Sequence, residues 1–175
     1  ERLLFHRAEN IVADPVMTAT SGGRLMQNST EGVLIRELLP LARIITPNIP
    51  EAEILSGIKI TTQDDMLEAA RIIAKLLKGD ILLKGGHLQD TSDDLLFTGG
   101  EAVWFRGPHI ENSNTHGTGC TLSSAIACGL AEGLSVRDSV TKAKEFITGA
   151  IADGLDLGSG SGPLNHMYRL PFRFG

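Results

Sequence analysis

The chain has 175 residues, 42% apolar and 21% charged, the composition of one globular domain over residues 1–175 and too apolar for wholesale disorder. Its 16 Lys and Arg against 21 Asp and Glu give a net charge of −5, which argues against a general nucleic-acid or anionic-membrane binder but permits a local basic pocket. Two cysteines without metal-type spacing argue against a zinc site or a disulfide framework and for a reducing, cytoplasmic compartment.

The first element is a short apolar strand at Asn10-Ile11-Val12-Ala13, stopped by Asp14-Pro15. A turn at Thr20 to Gly23 follows, then a short helix from Val33 to Leu39 closed by Pro40. Ala42 to Thr46 reads as a second strand. Pro47 and Pro50 shape the loop after it, and Pro50 suits the first turn of a helix that Gly57 ends. The clearest helix spans about Asp64 to Lys78, with Met66, Ala69, Ala70, Ile73, Leu76 and Leu77 on one face. Thr61 with Asp64 has the form of a capping box, and Gly79 is placed to stop the helix.

Asp80 to Lys84 reads as a buried strand, and Leu95-Leu96-Phe97 with Ala102 to Phe105 as a hairpin. Cys120 to Gly133 is a helix of small residues in which Cys128 is expected in the core. Ser135 caps a last helix presenting Val136, Val140, Ala143, Ile147, Ala150 and Ile151. Strands alternating with helices predict an α/β fold with a mostly parallel sheet flanked by helices. Ligands of such sheets lie beyond the carboxyl ends of the strands, here Asp14, Thr46 to Glu51, Lys84 to His87 and Asn114 to Cys120.

Those four places carry the chemistry. Asn114-Thr115-His116-Gly117-Thr118-Gly119-Cys120 runs directly into a helix, so its glycines can fold backbone N–H groups around an anion at the helix start. Read locally, the same residues also fit a glycine turn beside a small buried Cys. Lys84 ends an apolar strand, from which it could reach a phosphate or lie over the sheet edge. Asp14, Asn48 and Glu51 are oxygen donors of the kind that suits Mg²⁺, although Asn48 and Glu51 equally suit helix capping. His87 and His116 could touch a ligand or serve structure, and His166 carries no sequence signal. Together the pieces describe a phosphoryl-transfer site without a Walker A loop.

Asp14-Pro15-Val16-Met17, Ile45-Thr46-Pro47-Asn48-Ile49-Pro50-Glu51-Ala52-Glu53, Leu83-Lys84-Gly85-Gly86-His87 and Thr115 to Ala125 resemble, in this order, the hydroxymethylpyrimidine/phosphomethylpyrimidine kinases of the ribokinase-like superfamily. The resemblance implies an ATP- and Mg²⁺-dependent kinase of thiamine biosynthesis, acting on 4-amino-5-hydroxymethyl-2-methylpyrimidine and its monophosphate. It implies an anion hole from the backbone of Gly117, Thr118, Gly119 and Cys120, with Cys120 as base. It further implies ATP contacts at Lys84 and Thr46, and Mg²⁺ organised by Asp14, Asn48 and Glu51. Some relatives phosphorylate pyridoxal or pyridoxine, which makes that activity, or a non-catalytic nucleotide-binding module, the alternative.

The family pattern also carries a substantial part before Asp14, including a glycine segment of the Ala-Gly-Ser-Asp type, which has no counterpart here. The chain is therefore expected to be the C-terminal portion of the fold, completed by a homodimer partner or by a separate N-terminal segment.

Overall fold

The computed structural model describes residues 1–17, 26, 28–86, 93–106, 117–154 and 162–170. The expected turn at Thr20 to Gly23, and His87, His109 and Asn114 to His116, lie outside the described residues. The chain divides into two compact units, Glu1–Gly107 and Pro108–Gly175.

The first unit is built on a five-stranded sheet in the order β1 (Val12–Ala13), β2 (Ile44–Ile45), β3 (Asp80–Leu83), β4 (Asp94–Thr98) and β5 (Glu101–Phe105). The first three strands are parallel, with Ala13 beside Ile45 and Ile45 beside Ile81. The last two pairings are antiparallel: β4 returns along β3, and Gly99 and Gly100, both at positive φ, turn it into β5. Three of the five strands thus run parallel, and the expected hairpin adds the two antiparallel strands at one edge.

Before the sheet stands α1 (Arg2–Phe5). Between β1 and β2 the helical run is longer than the sequence pattern suggests: α2 (Asn28–Val33) widens into a π-turn at Leu34–Leu38 and tightens into a 3₁₀ turn at Leu39–Leu41. Pro40 does not end it. It occupies the first turn of the 3₁₀ segment, where its missing N–H costs nothing, and the wider geometry just before it relieves the clash its ring would make in a regular α-helix.

Between β2 and β3 lie α3 (Ile49–Ser56) and α4 (Gln63–Ala74). Pro50 sits in the first turn of α3, and Gly57 closes it in the left-handed conformation. Met66, Ala69, Ala70 and Ile73 of α4 are buried and join Ile45, Ile81, Leu83 and Leu95 in the core. Each large apolar side chain so buried contributes about 1.5–3 kcal/mol before entropy is counted.

Two local expectations shift. The α4 capping box is Thr62 with Asp65, one residue later than the Thr61–Asp64 pairing, and Asp65 also gathers the N–H and hydroxyl of Thr61. The helix ends at Ala74, so Leu76 lies beyond it and is exposed. Gly79 serves a different end: a Cβ there would sit 2.2 Å from the Ala42 carbonyl oxygen, so only glycine lets the entry to β3 pass the chain leading into β2.

The second unit is a helical pair, α5 (Thr118–Ala131) and α6 (Val136–Ala152), with the segment at 162–170 against it. Ser135 caps α6 through the Asp138 N–H, and Val136, Val140, Ala143, Ile147 and Ala150 are buried, as their spacing predicts. Leu122, Ile126 and Leu130 form the buried face of α5. Among the described residues, no helix is long and apolar enough to cross a membrane.

Candidate active site

In the first unit, three parallel strands end side by side, and each delivers one polar residue. Asp14 follows β1, Thr46 follows β2 and Lys84 follows β3. The parallel track continues past the strands: Thr46 N–H donates to the Ala13 carbonyl, Lys84 N–H donates to the Pro47 carbonyl, and Lys84 bridges to Asn48. This register sets the side chains within reach of one another. Thr46 Oγ1 donates to Asp14 Oδ1 at 2.9 Å, and Lys84 Nζ donates to the same oxygen at 3.0 Å. The Asp14 and Lys84 side chains are only 13% and 17% exposed, so the ion pair is held largely out of water.

Asn48 and Glu51 close the start of α3 as a reciprocal capping box. Asn48 N–H donates to Glu51 Oε2 at 2.8 Å, and Glu51 N–H donates to Asn48 Oδ1 at 2.9 Å. The capping reading of these two residues is therefore realised. It does not exhaust Glu51, which is 2% exposed and carries a pKa raised from 4.5. Burial is the main cause, and the negative charge of Asp14 adds to it. The N–H groups of Asn48 and Met17 and the charge of Lys84 act the other way. A buried carboxylate facing a second carboxylate and one lysine is short of positive charge.

The same loop geometry demands glycine at one further point. A Cβ on Gly85 would lie 1.9 Å from the Asp93 carbonyl oxygen, and Gly85 N–H donates to Asp94 Oδ1 at 2.9 Å. The residue after Lys84 is thereby pinned against the start of β4.

In the second unit, Gly117 caps α5 at φ +83° and contributes no side chain to the helix start. No side chain caps the first turn, Thr118-Gly119-Cys120, and N–H groups at an uncapped helix start are what an anion cradle uses. Cys120 is exposed at this turn. Its carbonyl accepts the hydroxyls of Ser123 and Ser124.

Between α5, α6 and the segment at 162–170 is a cavity of about 450 Å³, whose lining includes Cys120, Ser124, Cys128, Phe146, His166 and Arg169. Cys128 is thus exposed rather than core, because positions 120, 124 and 128 share one helical face, opposite the buried Leu122–Ile126 side. His166, which carries no sequence signal, reaches Thr121 across 45 residues, with its Nε2 2.9 Å from Thr121 Oγ1.

The phosphomethylpyrimidine kinase family model matches residues 1–165. The chain belongs to the phosphomethylpyrimidine kinase family. It is 46% identical to the thiamine biosynthesis bifunctional protein ThiED of Geobacter sulfurreducens over 95% of its length, and 43% identical to the hydroxymethylpyrimidine/phosphomethylpyrimidine kinase of Streptomyces coelicolor over 91%.

Among solved structures, the ADP complex of Bacillus subtilis pyridoxal kinase superposes with a TM-score of 0.84 at 36% identity over 95% of the chain. The phosphomethylpyrimidine kinase of Clostridium difficile 630 does so with 0.75 at 40% identity over 85%. These neighbours establish the fold as that of the ribokinase-like vitamin kinases. The chain spans 34% of the bifunctional relative, 59% of the Streptomyces kinase, and 62% and 60% of the two crystallised chains.

Proposed function

We propose that the chain forms part of an ATP-dependent kinase that phosphorylates the hydroxymethyl group of 4-amino-5-hydroxymethyl-2-methylpyrimidine, and then the resulting monophosphate, in thiamine biosynthesis. The observation that carries this reading is the turn at Gly117: a left-handed glycine without a capping side chain opens a helix whose first turn bears Cys120, in a chain of the phosphomethylpyrimidine kinase family. Backbone N–H groups of Gly117, Thr118, Gly119 and Cys120 would receive the charge that develops on the transferred phosphoryl group. Cys120 Sγ would take the proton of the attacking hydroxyl.

In the first unit Lys84 would neutralise ATP phosphates, with Asp14 holding its ammonium group and Thr46 holding Asp14. The donor set there also fits Mg²⁺. Among the described residues no three His, Cys, Asp or Glu side chains group to hold a metal ion, and Mg²⁺ ordinarily takes one or two carboxylates with water and phosphate oxygens. Asp14 and Glu51 would supply the carboxylates. Asn48, whose Oδ1 is committed to the Glu51 N–H, would hold Glu51 in place. When bound, the ion would offset phosphate charge, and burial of Glu51 beside Asp14, which raises its pKa, supports a role for an added cation there.

A second acceptor, pyridoxal, is supported by the high structural similarity to pyridoxal kinases, one of which, from Staphylococcus aureus, is described in complex with AMP-PCP and pyridoxal. The deciding experiment is Mg-ATP-dependent phosphorylation by the purified chain of the hydroxymethylpyrimidine, its monophosphate and pyridoxal. Turnover on the pyrimidines supports the main reading. Turnover on pyridoxal alone replaces it, and a folded chain inactive on all three is a nucleotide-binding module or needs a completing segment or second copy.

A further inference from the structure

The segment at 162–170 is fastened to the helical pair at several points. Asn165 Nδ2 donates to Asp153 Oδ2 at 2.7 Å, just past the end of α6. The Tyr168 ring lies against Gly149, where a Cβ would fall 2.3 Å from the ring, and it also faces Phe146 with centroids 5.6 Å apart. The Arg169 guanidinium lies over both rings. These anchors join the segment to α6. His166 instead reaches the first turn of α5.

Thr121 Oγ1 has one proton, and it is donated to the Gly117 carbonyl at 2.9 Å. With that proton so used, the same oxygen accepts from His166 Nε2 at 2.9 Å in the tautomer that carries its hydrogen there. The Gly117 carbonyl also accepts the Thr121 N–H at 2.9 Å. The peptide so held belongs to the left-handed residue that sets the direction of the N–H groups following it.

We propose that His166 is a positioning residue of the anion cradle, acting through Thr121 on the carbonyl of Gly117. The proposal rests on the kinase reading for its consequence in turnover, but not for its geometry. A cradle is useful only when its donors already point at the charge that develops, so loosening the Gly117 peptide lowers turnover more than it lowers ATP affinity.

The test uses the full chain with His166→Ala, His166→Gln, Thr121→Val and the double variant His166→Ala/Thr121→Val. Exchange of the Thr121 amide is followed by NMR, and kcat and KM for Mg-ATP are measured with the pyrimidine and pyridoxal acceptors. His166→Ala, which loses one hydrogen bond, and Thr121→Val, which loses the hydroxyl's bonds to both Gly117 and His166, each speed Thr121 amide exchange at least about fivefold and lower kcat by about five- to tenfold, with KM for ATP within about twofold. His166→Gln, which keeps an N–H donor, recovers most of both effects, and the double variant is no worse than Thr121→Val. Unchanged amide exchange in His166→Ala overturns the positioning role, whether or not the wild type turns over any acceptor. Where the wild type by itself turns over no acceptor, the exchange result decides the positioning role alone. Parallel losses in kcat, KM and thermal stability overturn it in favour of a plain structural tether.

Discussion

Lys84 Nζ and Asp14 Oδ1 meet at 3.0 Å across 70 residues of sequence, at the ends of two strands that do not pair with each other. The strand between them, β2, adds Thr46 to the same carboxylate oxygen. Three consecutive parallel strands thus converge on one atom, and Glu51 senses the charge of both partners.

Removing the lysine should therefore act twice. Lys84→Met keeps the stem but leaves Asp14 and Glu51 without their cation, and breaking a largely buried pair from one side costs about 3–5 kcal/mol. The urea midpoint should fall accordingly, and KM for ATP should rise by about tenfold if the ammonium group neutralises phosphate. Asp14→Asn in the same background should cost less than it does alone. Unchanged midpoint and unchanged ATP dependence would show the pair to be idle.

The raised pKa of Glu51 gives a pH dependence of definite sign. The folded chain holds this proton to a higher pH than the unfolded chain, whose value is near 4.5. Between the two values the unfolded state binds fewer protons, so stability falls as pH rises from about 4.5 through the folded pKa, and is level above it. Comparing wild type with Glu51→Gln isolates this contribution, because the amide does not titrate. The wild type should lose ground to the variant as pH rises above 4.5, whatever constant offset the amide introduces. A difference that grows in favour of the wild type over that range would mean that the carboxylate is charged and satisfied in the fold.

For Cys120, the expected signature is a split between turnover and binding. Cys120→Ala should lower kcat by about 10²-fold or more while leaving ATP affinity within a few-fold, since a general base acts in the transition state. Cys120 N–H, which the substitution retains, would keep its place in the cradle. Equal turnover in the two proteins removes Cys120 from the base role, and a loss confined to KM for ATP moves it to nucleotide contact.

Much of this arrangement is legible in the sequence, because most of the relevant signals are local or periodic. The buried faces of α4 and α6 follow from their spacing, and the ends of the parallel strands point to Asp14, Thr46 and Lys84. The α4 cap is ambiguous for a local reason: Thr61-Thr62-Gln63-Asp64-Asp65 offers two Thr-x-x-Asp pairs, and only the later one closes the box. Other features depend on partners distant in the chain. Gly79 reads as a helix stop, yet it is required by the carbonyls of Ala42 and Arg43. Cys128 reads as core because small residues surround it in sequence, yet it shares the exposed face of Cys120. His166 has no neighbouring pattern at all, and its role lies in a bond to Thr121.

Ser139 offers a test of packing in the helical pair. Its hydroxyl is fully buried with no hydrogen-bond partner among the described residues, and it lies against Gly129 of α5. An unpaired buried hydroxyl costs about 1–3 kcal/mol, so Ser139→Ala should be neutral or stabilising by about 1 kcal/mol in chemical denaturation. Gly129→Ala should do the reverse, since its Cβ would come within 3.0 Å of the Ser139 Cα. A marked loss of stability in Ser139→Ala would show that the hydroxyl has a partner after all.

Gly149 separates stability from positioning. Alanine in its place would put a Cβ 2.3 Å from the Tyr168 ring, so the ring must leave its seat and the Phe146 contact must loosen. The helix itself gains, because alanine is favoured over glycine in a helix interior by about 1 kcal/mol. The two effects oppose each other in the folding equilibrium, so the denaturation midpoint should move little. They do not oppose each other in the segment at 162–170, which loses an anchor and with it the hold of His166 on Thr121. Gly149→Ala should therefore speed Thr121 amide exchange and lower kcat in the manner of His166→Ala, with nearly wild-type stability. Adding His166→Ala to it should produce no further loss. Full turnover with a displaced Tyr168 would show that His166 keeps its bond without the ring, and that the Asn165–Asp153 anchor is sufficient to hold it there.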